Sequence, residues 1–466
     1  MANVIVVGGG IAGLCGSMLL ARDGHQVRLL ERDADSPPTP ETAWDSWRRR
    51  GVNQFNMLHY FLPRFREMVE TELPELATAL EESGALRLNF VSAAPDEMTG
   101  GPRPGDERFT VLTGRRPVVE AVIAGIAAAE PNVEVRRGVA VRGLLADGSN
   151  GVPHVTGVVT DSGEELRADL VVDASGRRSQ LPAWLTALGA RAPYEELDDC
   201  GFVYYGRHFR SSDGTLPAAL GPPLQHYESI SLLLLPADNG TWGVGVVASA
   251  ADAPMRAARH LDAWTRVVSG YPLAAHWLEG EPISDVAVMA KIEDRFRRYA
   301  DTDGPVATGV VAVADSWACT NPSVGRGASI GLLHARCLRD LLREVPPGDP
   351  AFATRWDEVT AEVVEPFYRD TLAFDRHRLA EIDAQIAGVP YETDDPGWLL
   401  GQALARAAGK DPDLLRAFAD IVSLHERGVD VMARPGIADK AIALGGGDDT
   451  PPPGPSRQEL LAIVNR

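Results

Sequence analysis

Lysine is nearly missing from this chain, which has 466 residues and 45 basic side chains. It occurs only at Lys291, Lys410 and Lys440, so almost every positive charge is carried by arginine. A mechanism that depends on a lysine in the first 290 residues is therefore excluded.

Cysteine is also scarce, and no two cysteines form a Cys-x-x-Cys pair. The four are Cys15, Cys200, Cys319 and Cys337. Dithiol redox chemistry of the disulfide-reductase kind is therefore not supported. Cysteines spaced so widely fit the reduced state of a cytoplasmic protein, and the cytoplasm is the predicted localisation.

Positive charge is outnumbered, since 45 basic residues stand against 65 acidic ones and give a formal net charge of -20. A surface this acidic repels phosphate backbones, so no nucleic-acid partner is predicted. No apolar run reaches the roughly 18 residues needed to span a bilayer, and no signal peptide precedes the first predicted strand. We expect no transmembrane segment and no metal site.

A glycine-rich turn follows the first predicted strand. The run NVIVV (3–7) is typical of a buried strand, and GGGIAG follows it and opens a helix. Gly8, Gly10 and Gly13 form G-x-G-x-x-G, in which the glycines permit a tight turn, close approach of a pyrophosphate and close helix–strand packing. The helix N-terminus then offers free N–H groups to a diphosphate.

The next strand, QVRLLE (26–31), ends on Glu31. A carboxylate at this place binds ribose hydroxyls and disfavours a 2′-phosphate. Strand, glycine turn, helix and acidic strand end together predict a Rossmann unit that binds a dinucleotide; the alternative is a glycine-rich turn without a ligand.

A second glycine-rich helix start lies far downstream, in VVAVADSWACTNPSVGRGASIG. A predicted strand ends at Asp315, and the run from Pro322 through Gly325 to Gly327 opens a helix. Two glycine-rich helix starts, far apart in the chain, suit a dinucleotide cofactor that has a second long part to be bound. Asp315 can bind ribityl or ribose hydroxyls, with a helix cap as the alternative, and the amides after Pro322 can face the pyrimidine end of a flavin, where negative charge accumulates on reduction.

The segments GGGIAG…LLERD, GRRPVVEAVI, VVDASGRRS and ADSWACTNPSVGRG resemble, in this order, the motifs of FAD-dependent monooxygenases of the aromatic-hydroxylase superfamily. The resemblance spans residues 3–340, and RRGVNQFNMLH is similar to a segment of the bacterial branch that contains natural-product epoxidases. It implies an α/β fold with a Rossmann-type FAD-binding domain, an inserted antiparallel-sheet substrate domain and a helical C-terminal region.

The predicted boundaries assign residues 1–184 and 301–345 to the FAD-binding domain, 185–300 to the substrate domain and 346–466 to the helical region. The middle domain is predicted to be antiparallel because Asn-Gly separates two apolar runs in ISLLLLPADNGTWGVGVVAS, which is a hairpin signal. GGGDDTPPPGP (445–455) is predicted to be a linker, and SRQELLAIV begins with the Ser-x-x-Glu capping box of a last short helix.

Carried over position by position, the resemblance implies a set of FAD contacts. They are Gly8, Gly10, Ile11, Ala12, Gly13, Glu31, Arg32, Arg116, Val141, Asp315, Gly325 and Gly327. His59, on the loop near the cofactor, is a candidate catalytic residue, with a structural role as the alternative. In this fold the middle sheet roofs the substrate cavity, so its aromatic and histidine residues are candidate substrate contacts, with core packing as the alternative. They are Tyr204, Tyr205, His208 and Trp242.

Two positions depart from the superfamily pattern. Ala314 stands where the usual Gly-Asp pair has its glycine, and Ser175 stands where aromatic hydroxylases have the aspartate of an Asp-Gly pair. The second pair is linked in the family to NAD(P)H. The electron source therefore stays open between NAD(P)H and reduced flavin from a partner reductase, and we favour the reductase.

The resemblance implies a monooxygenase that inserts one atom of molecular oxygen into a hydrophobic small molecule, a natural-product intermediate, by epoxidation or hydroxylation through a flavin hydroperoxide. The alternatives are a flavin-dependent reductase or dehydrogenase of an isoprenoid-like double bond and a non-enzymatic flavin-binding protein. A halogenase is disfavoured, because that chemistry resembles lysine-mediated hypohalite transfer and no lysine precedes Lys291.

Overall fold

The computed structural model describes residues 1–147, 151–447 and 452–465. Residues 448–451 of the predicted linker lie outside them. The strands are β1 (Asn3–Val7), β2 (Gln26–Glu31), β3 (Leu86–Asn89), β4 (Thr110–Thr113), β5 (Val133–Arg137), β6 (Val141–Asp147), β7 (His154–Thr160), β8 (Glu165–Arg167), β9 (Leu170–Asp173), β10 (Tyr194–Asp199), β11 (Phe202–Arg210), β12 (Leu224–His226), β13 (Ile230–Pro236), β14 (Thr241–Ser249), β15 (Glu281–Pro282), β16 (Ala287–Met289), β17 (Glu293–Arg298), β18 (Ala300–Asp301), β19 (Gly304–Pro305), β20 (Val310–Ala312) and β21 (Ala318–Cys319). The α-helices are α1 (Ile11–Arg22), α2 (Pro40–Ser46), α3 (Pro63–Glu72), α4 (Pro74–Glu82), α5 (Asp96–Thr99), α6 (Arg116–Ala129), α7 (Leu181–Ala187), α8 (Leu261–Ser269), α9 (Gly327–Glu344), α10 (Phe352–Val359), α11 (Glu365–Ala387), α12 (Pro396–Ala407), α13 (Pro412–Val422), α14 (Gly428–Met432), α15 (Ile437–Gly445) and α16 (Arg457–Val464).

A five-stranded parallel sheet in the order β20-β9-β1-β2-β5 is the frame of the predicted FAD-binding region. Its central strand β1 is buried from Val4 to Val7 because helices cover the sheet, as the continuous β-branched run predicts. β20 joins this sheet beside β9 although it lies more than 130 residues further along the chain. Because β20 runs parallel to β9 and β1, the second glycine-rich motif lies at the carboxyl ends of the strands, where the first motif also lies.

The middle of the chain forms an antiparallel sheet in the order β12-β13-β14-β11, with β15 and β16 both pairing with β11. β13 and β14 are the predicted hairpin, and its turn places Asn239 at φ 52° and Gly240 at φ 64°. These left-handed conformations are the ones that Asn-Gly favours. Side chains alternate between the two faces, so the sheet has one core cluster behind it, against α8, and another in front.

The C-terminal region is helical. α11 runs past the front of the antiparallel sheet, and α12 to α15 pack around a small core of their own that includes Leu404 and Leu414. α16 begins with the predicted capping box, formed by Ser456 and Glu459, and packs on α8 behind the sheet. None of the described helices has the length and apolar composition needed to cross a bilayer. The predicted fold class is confirmed.

Candidate functional site

A single cavity of about 2290 Å³ extends from the first glycine motif, past the second, to the front of the antiparallel sheet. Small-molecule sites usually measure about 300–1,000 Å³. The cavity therefore has room for a dinucleotide and a second molecule together.

The first glycine motif has the geometry of a phosphate cradle. Gly8 adopts φ +109°, and a Cβ on it would lie 2.5 Å from the carbonyl oxygen of Ala174. A Cβ on Gly13 would overlap the carbonyl oxygen of Gly8. At Gly10, by contrast, a Cβ would meet nothing within 4 Å, and α1 begins there without a side-chain cap. The uncapped N–H groups of α1 therefore face the open cavity, where a diphosphate would be stabilised.

Glu31 is 4% exposed and stands beside this cradle at the end of β2. Its Oε2 accepts hydrogen bonds from the backbone N–H of Gly9 at 2.7 Å and from Nη2 of Arg49 at 2.5 Å. Its Oε1 accepts from the backbone N–H of Asp33 at 2.9 Å. Glu31 thus lines the cavity and also fixes the turn and the neighbouring arginine.

Arg49 lines the cavity beside Glu31 and was not among the residues predicted from the sequence. Its side chain is 3% exposed, and its Nη1 donates to the carbonyl oxygen of Gly9 at 2.9 Å and to Oε2 of Glu120 at 2.7 Å. Glu120 is fully buried and also accepts from Nε of Arg116 at 2.5 Å. Burial alone would raise the pKa of Glu120, but Arg116 and Arg49 hold it below its usual value. The i,i+4 spacing of Arg116 and Glu120 was the available signal for this network.

Arg116 and His59 meet at the edge of the cavity. Nη1 of Arg116 lies 3.2 Å from Nε2 of His59, and Nδ1 of His59 lies 3.0 Å from the carbonyl oxygen of Met57. The imidazole therefore donates from Nδ1 and accepts at Nε2. Burial, reinforced by Arg116, lowers the pKa of His59 to about 3. The geometry favours a neutral His59 that orients Arg116.

The second glycine motif is strained at Ala314. This residue adopts φ +52°, the left-handed region, where the family pattern has glycine. Its backbone N–H donates to Nδ1 of the buried His334 at 3.1 Å. The strained turn directs Asp315 toward the cavity, and the carboxylate of Asp315 makes no hydrogen bond to any residue that the structure describes. Burial raises the pKa of Asp315.

The start of α9 completes this side of the cavity. Gly325 adopts φ +68°, and a Cβ on it would lie 3.2 Å from the carbonyl oxygen of Tyr60. The loop that carries His59 and Tyr60 therefore packs directly on the second motif. Of the twelve predicted FAD contacts, Gly13 packs inside the fold and the following line the cavity: Gly8, Gly10, Ile11, Ala12, Glu31, Arg32, Arg116, Val141, Asp315, Gly325 and Gly327.

The four candidate substrate residues do not all lie on the same face of the antiparallel sheet. Tyr204 faces the cavity, and its hydroxyl donates to Oδ1 of Asn321 at 2.5 Å. Tyr205 borders the cavity, but it belongs to the core cluster behind the sheet together with Trp242, whose Nε1 donates to the carbonyl oxygen of Trp277 at 2.8 Å. His208 is buried against the ring of Trp44, with ring centroids 4.6 Å apart, and does not line the cavity. Period-two alternation already implied that Tyr204 and Tyr205 point to opposite faces.

Two further sets of residues line the cavity and were not anticipated. The front of the sheet and the loop before α3 supply an apolar surface that includes Met57, Leu58, Leu233, Leu235 and Met289. The C-terminal helices supply another part of the lining, with Trp398, Leu415, Phe418, Ile421 and Met432. The helical region therefore forms part of the cavity lining.

Comparison with known proteins agrees with this geometry. Residues 1–57 match the family model of an FAD binding domain. Protein Rv3254 of Mycobacterium tuberculosis (strain ATCC 25618 / H37Rv) is 28% identical over 450 residues, which are 91% of this chain and 90% of that protein.

Two solved structures share the fold. The p-nitrophenol 4-monooxygenase PnpA of Pseudomonas putida DLL-E4 aligns with a TM-score of 0.62 at 17% identity, over 92% of this chain and 99% of that one. The anhydrotetracycline hydroxylase OxyS of Streptomyces rimosus aligns with a TM-score of 0.58 at 19% identity, over 91% of this chain and 76% of that one. The predicted fold is confirmed, and the match over residues 1–57 supports FAD as the cofactor.

Proposed function

From an FAD-binding domain on the fold of the FAD-dependent aromatic hydroxylases, we propose that this chain is a monooxygenase that inserts one oxygen atom into a hydrophobic small molecule. The observation that carries the proposal is the cavity, which joins a dinucleotide cradle to an apolar surface on the front of the antiparallel sheet. A cofactor and a substrate can meet in one continuous cavity. Hydroxylation and epoxidation both fit this arrangement.

The residues present fit FAD. The open helix start at Gly10 would hold the diphosphate, and Glu31 would bind a ribose hydroxyl. Asp315, whose carboxylate is unpaired among the described residues, would bind the ribityl or ribose hydroxyls of the second arm. Bound FAD would supply the redox chemistry, which is the activation of molecular oxygen by its reduced form.

The chain's own residues would position and shield the reactants. Arg49 and Glu120 hold Arg116 at the cavity edge, and His59 accepts a hydrogen bond from Arg116. Met57, Leu233 and Met289 give the substrate side an apolar lining that excludes water. We propose Tyr204 as the substrate contact among the four sheet candidates, because its side chain faces the cavity.

The test of oxygen transfer uses the FAD-loaded protein. The bound flavin is photoreduced without oxygen and then mixed with aerated buffer in a stopped-flow spectrophotometer. A monooxygenase should pass through an absorbing species that differs from both the reduced and the oxidised flavin. A direct return to the oxidised spectrum, together with saturation of an isoprenoid-like double bond by the reduced protein, would instead support the reductase or dehydrogenase alternative.

We further propose that electrons arrive as reduced flavin from a partner reductase. The support is the sequence at Ser175, which lacks the carboxylate that the family links to NAD(P)H. Mixing the FAD-loaded protein with NADH or NADPH should reduce the flavin more slowly than turnover, and adding a flavin reductase should restore turnover. Rapid reduction by either nucleotide alone would contradict this proposal and leave the monooxygenase proposal intact.

A further inference from the structure

A buried carboxyl group lies directly behind the loop that opens α9. Asp375, on α11, is 3% exposed. Its Oδ1 accepts hydrogen bonds from Oγ of Ser323 at 2.7 Å and from Nδ2 of Asn321 at 3.1 Å. Its Oδ2 is buried and has no hydrogen-bond partner among the described residues. A buried carboxylate with a free oxygen is costly when ionised, so this environment favours the protonated form.

Groups on the neighbouring elements both raise and lower the pKa of the Asp375 carboxyl group. Asp294 on β17 and Arg326 at the start of α9 are the charged neighbours, and Tyr204 and Cys200 approach from the side of β11. Burial, reinforced by Asp294, raises the pKa of Asp375 to about 7, although the bonds from Ser323 and Asn321 and the charge of Arg326 oppose the shift.

Ser323 connects Asp375 with the cavity. Ser323 lines the cavity and Asp375 does not, so the 2.7 Å hydrogen bond spans the wall. When Asp375 is ionised, the Ser323 hydroxyl donates to Oδ1 and presents only lone pairs to the cavity. When Asp375 is protonated, its O–H can donate to Oγ of Ser323, and the serine proton is free to point into the cavity.

We infer that Asp375 stores a proton for the cavity and that the Ser323 hydroxyl carries it through the wall. Ser323 gives its hydroxyl proton to a base in the cavity and takes the proton of Asp375, so that Asp375 ends ionised, Ser323 ends neutral and the base ends protonated. No electron moves, and the reverse sequence takes up a proton. Use of this proton in oxygen transfer rests on the proposed function, whereas the exchange itself does not.

Infrared spectroscopy of the resting, FAD-loaded protein tests whether Asp375 holds a proton. A protonated carboxyl group has a C=O stretch distinct from that of a carboxylate. In the difference spectrum between the unchanged protein and Asp375→Asn, which cancels the bands of the other carboxyl groups, we expect such a band at pH 6 that is lost with a midpoint near pH 7. The matched control is Asp294→Asn, which removes the neighbouring buried acid and should retain the Asp375 band with a lower midpoint. A band that persists unchanged in Asp375→Asn would overturn the inference.

The route through Ser323 has a separate readout. After rapid dilution into D₂O, the band should shift at least tenfold more slowly in Ser323→Ala than in the unchanged protein. Ser323→Thr, which keeps the hydroxyl, should restore the rate. Equal exchange rates in all three proteins would overturn the role of Ser323. Because nothing turns over in these measurements, their failure is distinguishable from failure of the oxygen-transfer proposal.

Discussion

Buried charge is paired around the first glycine motif and left partly unpaired around the second. Near the first motif, Arg49 bonds to Glu31, Asp33 and Glu120, so that the buried cation faces carboxylates on three sides. Near the second motif, Asp315 has no hydrogen bond to a described residue, and Oδ2 of Asp375 has no partner there. A buried polar group without a partner costs about 1–3 kcal/mol, and more when it is charged.

This difference separates two uses of buried polar groups. In the network around Arg49, the charged groups are paired with one another. The network can therefore stabilise the conformation of the first glycine motif without a bound cofactor. The carboxyl groups of Asp315 and Asp375 keep oxygen atoms without a partner among the described residues, and these atoms are free to bind a ligand hydroxyl or a proton. We therefore expect the loss of Arg49 to act mainly on folding, and substitutions of Asp315 and Asp375 to act mainly on ligand and proton binding.

The largest effect is expected at Arg49. Arg49→Ala should lower the free energy of unfolding by about 3–5 kcal/mol, because it leaves buried carboxylates without their cation. Urea denaturation measures the change. Arg343→Ala, which breaks an exposed pair with Asp23, is the control and should cost less than about 1 kcal/mol. If the two variants lost similar stability, the network would not be what holds the cradle.

Asp375→Asn should change how stability depends on pH. Folding raises the pKa of this carboxyl from 3.8 to about 7, so the folded state binds the proton more tightly and stability falls as pH rises between these values. Asn cannot ionise, and at pH 8 the variant should exceed the unchanged protein by up to roughly 4 kcal/mol. The difference in Tm should vanish below pH 4. The exposed Asp35→Asn should show no such trend, and a pH-independent Tm difference in Asp375→Asn would contradict the expectation.

Asp315→Ala should lose FAD and keep its fold. The loss of a charged hydrogen bond costs about 1.5–3 kcal/mol, which weakens FAD binding roughly 10- to 150-fold. Flavin fluorescence titration measures the affinity, and circular dichroism checks the fold. Glu344→Ala, at the exposed end of α9, is the control and should bind FAD normally. Global unfolding of Asp315→Ala would favour the helix-cap alternative.

The smallest effect is expected at Ala314. Its φ of +52° is unfavourable for a residue with a Cβ, so Ala314→Gly should stabilise the protein by about 1 kcal/mol. The same change at the exposed Ala405, inside α12, should destabilise it by a similar amount because glycine is a poor helix former. A lower Tm for Ala314→Gly would show that the strain is already compensated by the bond to His334.

The sequence by itself determined the local elements of this protein. Gly8 and Asn239-Gly240 adopt backbone conformations that few residues favour. The run from Val4 to Val7 is continuously apolar, as in a strand that is buried on both faces. The Ser456–Glu459 capping box is likewise set within one helical turn. Such features depend on neighbours a few residues away, so the two flavin motifs, the hairpin and the last helix were predictable.

The tertiary structure decided which distant side chains meet. Arg49 bonds to Glu120, which lies 71 residues further along the chain. Ser323 donates a hydrogen bond to Asp375, which lies 52 residues further along the chain. Periodicity could have placed Tyr205 on the face opposite to Tyr204, but it could not show that the C-terminal helices close the cavity. Local propensity constrains φ and ψ of single residues, whereas these contacts depend on the summed packing of whole elements, which a motif does not encode.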